Sequence, residues 1–129
     1  MSSKAWSGKS IEQRARDMIE AIDAIAGYIA GMDREAFMND RKTISAVERE
    51  LLTISEACAR ISELEEALGY TEARRLESRF PDILWHQIRG IGNILRHEYG
   101  RVDHATVWAT IATSGELAEL RKALEQVHP

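Results

Sequence analysis

Apolar residues fall at Ile11, Ala15, Met18, Ile22, Ile25 and Ile29. Steps of four and three of this kind mark one buried face of an amphipathic helix. Ser10, with Gln13 three residues on, supplies a capping box at its start, and Gly31 ends it. Asp33 to Phe37 reads as a short capped turn. A second long helix starts near Asp40, with a stripe at Ile44, Val47, Leu51, Ile54, Cys58, Ile61, Leu64 and Leu68, and ends at Gly69. Thr71 is expected to cap a shorter basic helix reaching about Arg79, closed by Pro81. A further helix is expected from near Asp82, carrying Leu84, Ile88, Ile91 and Leu95 on one stripe and fraying into His97-Glu98-Tyr99-Gly100. Asp103 then caps a last helix running to about Gln126, with Val107, Ile111, Leu117, Leu120 and Leu124 turned inward. The pattern predicts an all-α fold, an antiparallel bundle of about five helices with short connections. Residues 1–9 read as a flexible lead and residues 10–129 as a single domain.

Composition supports this reading. The chain has 129 residues, the size of one domain, and only two prolines to interrupt helices. Runs rich in Val, Thr and Tyr, from which strands are made, are missing. The single cysteine, Cys58, cannot form an intrachain disulfide and falls on an apolar stripe, as a small core residue would. The first ten residues are polar, and no apolar run approaches the roughly 18 residues of a membrane span. A cytoplasmic location without membrane contact is the expectation.

Charge changes the picture locally. The net charge of −4 argues against a general nucleic-acid coat. Between Arg74 and Arg101, however, six arginines face three acids (Glu77, Asp82 and Glu98), leaving the rest of the chain at −7. That asymmetry suits one anionic ligand site on an acidic body, and it suits a solvated charged face as well. Arg74, Arg75 and Arg79 could extend a basic path or serve only the surface.

At about 100° per residue, Trp85, Arg89, Asn93 and Arg96 share a face beside the apolar stripe 84, 88, 91, 95, and His97 lies at its far edge. Guanidinium groups bind phosphate through paired planar donors, and imidazole exchanges protons near neutral pH. Phosphodiester chemistry needs both abilities. Gly90 and Gly92 permit close approach of a ligand or of another helix. Glu56, mid-way along the second long helix, either points toward His97 or faces solvent. Trp85 and Trp108 read as core residues. The four histidines, His86, His97, His104 and His128, have no paired metal-ligand spacing, and no glycine-rich phosphate loop or nucleophile elbow occurs. Neither a metal nor a cofactor is expected.

The stretch from Pro81 to Tyr99, with its Trp–Ile–Arg run, Asn93 and His97-Glu98-Tyr99, followed by Val102-Asp103, resembles the signature of the HepT-like proteins of the HEPN superfamily. The Ile22–Tyr28 helix, the Ile54-Ser55-Glu56-Ala57 segment and the Trp108 helix fit the same pattern. The resemblance implies the toxin of a type VII-like toxin–antitoxin pair, a homodimeric, metal-independent ribonuclease acting on RNA. It implies His97 as the catalytic histidine, and Tyr99 as the tyrosine onto which a small nucleotidyltransferase antitoxin transfers AMP to silence the toxin. The family motif places an arginine five residues before the histidine. Here that position is Gly92, and Arg89 and Arg96 lie three residues before it and four after it. Either arginine is a surface neighbour able to stand in. The alternative is a HEPN scaffold that has lost catalysis and binds the nucleotidyltransferase.

Overall fold

A computed structural model of the chain describes residues 9–97 and 102–127, of His97 the backbone only. The described residues form seven α-helices and no strand. The first, α1 (Ile11–Tyr28), opens on the expected capping box, with Ser10 Oγ accepting from the Gln13 amide and Gln13 Oε1 from the Ser10 amide. A short α2 (Arg34–Met38) starts at Asp33, and the long α3 (Arg41–Ala67) at Asp40, whose carboxylate accepts from the Thr43 amide. After α4 (Leu76–Arg79) and Pro81 come α5 (Trp85–His97), α6 (His104–Trp108) and α7 (Glu116–Glu125).

The long α3 is the central column. Helix α1 lies antiparallel on one side of it, with Tyr28 at one end bonded to Glu50. Helix α5 lies antiparallel on the other, so that Ser55 meets Gly92 and Glu56 meets Arg96. Helix α7 closes the bundle against α1, where Arg121 grips Asp23 with two bonds of 2.8 and 2.9 Å. The predicted stripes make the core: Met18, Ile25, Val47, Cys58, Ile61, Leu120 and Leu124 are almost fully buried. Each large apolar side chain so buried contributes about 1.5–3 kcal/mol. Phe37 of α2 packs on Trp108 of α6 at 5.2 Å between ring centroids, which ties the short helices to the bundle.

Three expectations need correction. Leu84 does not belong to the α5 stripe: it precedes the helix and is half exposed. Trp85 is buried in its place and donates from Nε1 to the Phe80 carbonyl at 2.8 Å, so the turn at Pro81 delays the helix to residue 85. The segment after Thr71 is not one capped helix. Thr71 gives no side-chain cap, and a 3₁₀ turn (Glu72–Arg74) precedes α4. The last helix is broken as well. A wide π-type turn (Ala109–Thr113) follows α6, and Gly115, at φ +78°, resets the chain before α7. The break in the last helix, and the helical form of the Arg34–Met38 turn, raise the count from about five helices to seven among the described residues.

One buried acid was not expected. Glu65 is 3% exposed and accepts from the Leu76 amide at 2.8 Å, capping α4 from across the bundle. Burial pushes its carboxyl above the ordinary carboxylate range. A carboxyl raised in the folded state contributes full stability below its unfolded pKa and loses that contribution as pH rises through the folded value. Glu65→Gln keeps an acceptor for Leu76 without the charge. The melting temperature of the variant relative to wild type is therefore expected to be better at neutral pH than at a pH below the ordinary carboxylate range. A difference that is the same at both would refute the assignment.

Candidate functional site

The α3–α5 crossing sets the site. Ser55 is a buried polar residue of α3 at 3% exposure. Its hydroxyl uses both of its hydrogen-bonding roles on α5, donating to the Arg89 carbonyl at 2.9 Å and accepting from the Gly92 amide at 3.0 Å. This brings the two helices so close that no side chain fits at 92. A Cβ there would lie 2.4 Å from Ser55 Oγ and 2.9 Å from Ser55 Cβ. Gly92 is thus a packing glycine. Gly90 has open space around its Cβ position, and nothing in the structure explains it.

The two candidate arginines have different surroundings. Arg89 is turned toward the bundle, where its Nη1 pairs with Glu77. Ser62 Oγ donates to the same carboxylate at 3.2 Å. Glu77 raises the Arg89 pKa, and the guanidinium lies beside Cys58, whose thiol burial pushes up to about 12. Cys58 is therefore an inert core thiol. Arg96 lies on the outer face with a 43% exposed side chain, and its Nη1 reaches Glu56 Oε2 at 3.3 Å. The same Nη1 is 3.3 Å from the place a Cβ would occupy at 92. The Arg96 guanidinium therefore folds back over Gly92, as long helical side chains lean toward the turn before their own.

Asn93 is exposed on the residue after Gly92. His97 is the last residue of α5, and its imidazole, like all of Tyr99, lies outside the described residues. Of the basic run around α4, Arg75 pairs with Glu66, while Arg74 and Arg79 lie over the rings of Tyr70 and Phe80. The structure thus places Arg96 and Glu56 together beside Gly92, with Asn93 exposed on the next residue, and pairs Arg89, whose side chain is 35% exposed, with Glu77. Sequence reading named Ser55 and Glu77 but gave neither a role in the site. The signal for Ser55 was a small polar residue beside the Leu51–Ile54–Cys58 stripe, opposite a helix with glycines at 90 and 92.

A family model for ribonuclease HepT-like proteins matches residues 18–127. The chain belongs to the HepT-like family. The match spans α3, α5 and the whole crossing, so Ser55, Gly92 and Arg96 all fall within the HepT-like fold. A similar protein of Thermococcus cleftensis, named "Probable ribonuclease HepT", is 29% identical over 119 residues, covering 88% of this chain and 98% of its own. Two proteins of Methanocaldococcus jannaschii, named "Putative RNase MJ1216" and "Putative RNase MJ0125", are each 29% identical over 111 residues. Those matches cover 86% of this chain and 81% and 84% of the relatives. No solved structure matches the chain. Among the described residues no helix is long and apolar enough to cross a membrane, and no group of three or more His, Cys, Asp or Glu could hold a metal ion.

Proposed function

We propose that this protein is the ribonuclease toxin of a toxin–antitoxin pair, cleaving RNA without a metal ion. The observation that carries the reading is a HepT-like chain whose α5 brings an exposed guanidinium and amide to the helix end that bears His97. His97 acts as acid and base. The RNA 2′-hydroxyl loses its proton to the imidazole and attacks the adjacent phosphorus. The bond to the 5′-oxygen breaks, and that oxygen takes up a proton. The products are a 2′,3′-cyclic phosphate and a free 5′-hydroxyl. A guanidinium of the α5 face stabilises the added negative charge, and Asn93 orients the phosphate. The working unit is a homodimer in the cytoplasm. Its antitoxin is a nucleotidyltransferase that attaches AMP to the phenol of Tyr99. This places a bulky anion two residues from His97 and blocks the phosphate site by charge and volume.

Expression of the chain alone is expected to arrest growth, and the purified protein is expected to cleave RNA in the presence of a chelator. Co-expression with a nucleotidyltransferase antitoxin should relieve the arrest and raise the mass of the Tyr99 peptide by one AMP. Relief without the mass change would replace modification by steric inhibition. A second reading, an inactive scaffold for the nucleotidyltransferase, is favoured by the exclusion of any side chain at 92. It requires tight partner binding with no arrest and no cleavage.

A further inference from the structure

We infer that Arg96 is the phosphate-binding arginine of this site, displaced by one helical turn from position 92, with Ser55 as the residue that forces the displacement. The inference rests on the ribonuclease reading for its chemistry and on the α3–α5 crossing for its geometry. Position 92 cannot carry an arginine while Ser55 bridges the Arg89 carbonyl and the Gly92 amide. Position 96 lies on the same helical face four residues later, and its side chain leans back over 92. Its Nη1 is already 3.3 Å from where a side chain at 92 would begin.

Arg89 is the competing candidate, and its partners decide against it. Its guanidinium is committed to Glu77, which Ser62 also holds, and it borders the buried Cys58 thiol. Turning it outward would leave Glu77 without its cation in a half-buried place. Among the described residues Arg96 pairs with the 56% exposed Glu56, at 3.3 Å. Exposed pairs of this kind are weak, whereas a phosphate accepts two parallel guanidinium bonds. Glu56 therefore parks the guanidinium over Gly92 in the free protein and yields it to RNA. It is a positioning residue that does not touch the substrate.

The test uses the full-length protein. Binding of a short single-stranded RNA with 2′-O-methyl riboses, which lacks the nucleophile, is followed by fluorescence anisotropy across a salt series. Cleavage of the unmodified RNA in chelator is followed in parallel. Arg96→Ala is expected to bind about tenfold more weakly, with the slope of log affinity against log salt shallower by about 0.7, the share of one phosphate contact on a single strand. Cleavage should fall at least as far, and Arg96→Lys should recover part of both. Lys122→Ala, which removes an exposed cation on α7, should leave binding within about twofold. Arg96→Ala binding and cleaving like wild type overturns the assignment and leaves the ribonuclease reading standing. Wild type that binds RNA through Arg96 without cutting it overturns the ribonuclease reading and keeps the assignment. No binding by wild type removes both.

Discussion

Replacing His97 by alanine is expected to slow metal-free RNA cleavage by about 10³-fold while RNA binding changes by no more than about threefold. The reasoning is one of proton accounting. A ribose 2′-hydroxyl is a poor nucleophile until its proton leaves, and the 5′-oxygen is a poor leaving group until it gains one. On the α5 face, arginine stays protonated throughout and the asparagine amide does not titrate. Imidazole is the side chain there whose ordinary titration lies near neutrality. Loss of a positioned acid–base group commonly removes 10²–10⁴ of rate. With the phosphate held by Arg96 and Asn93, as proposed, the loss should fall on kcat and leave KM nearly unchanged. Growth arrest on expression should disappear with it. Cleavage by His97→Ala at the wild-type rate would end the acid–base assignment, whatever the fate of the arginines. His97→Gln, which keeps a hydrogen-bonding side chain, should be as slow as alanine, because the missing function is proton transfer.

The sequence was a good guide where structure follows local periodicity, and a poor one where a single distant contact decides. The stripes of α1 and α3 were legible because each turn repeats the same test, and Ile25, Val47 and Ile61 are all buried as their spacing predicts. The caps Ser10, Asp33, Asp40 and Asp103 were legible because a short side chain reaching its own backbone is a local event. The start of α5 was not, because the Trp85 ring is held by the Phe80 carbonyl, and the stripe through Leu84 looked equally regular. The break at Gly115 was hidden because the apolar spacing runs on through Ile111 and Leu117 on both sides of it.

The site follows the same division. The polar face of α5 could be read from angular placement, and the family from the Pro81–Tyr99 stretch. Which arginine faces outward could not be read, because it depends on Glu77 and Glu56, residues from two other segments. The meaning of Gly92 depends on Ser55, 37 residues away. A glycine there looked like a lost arginine. In the fold it is the mate of a serine.

That pairing yields the largest expected effect on stability. Gly92→Arg, which restores the family's arginine, should destabilise the protein by about 3–5 kcal/mol: overpacking at a tight contact costs roughly 1–3, and breaking the buried Ser55 bonds adds a similar amount. Against a typical total of about 5–15 kcal/mol this is a large share, and the melting temperature should fall by about 10–20 °C. Ser55→Gly alone should cost about 2 kcal/mol, from a weaker α3 and the loss of both Ser55 hydrogen bonds to α5. The double variant Ser55→Gly/Gly92→Arg should be clearly more stable than the sum of the two losses, with a coupling above about 1 kcal/mol in urea unfolding. Additive losses, or Gly92→Arg unfolding at the wild-type midpoint, would show that Ser55 does not exclude a side chain at 92. The double variant then carries the decisive functional comparison. With Arg96→Ala added, its phosphate-binding arginine stands five residues before His97, and RNA binding lost on removal of Arg96 should return. Recovery would mean that the site needs a guanidinium over this turn of α5 and that either residue, 92 or 96, can deliver it, the choice being made by the side chain of α3 that faces it.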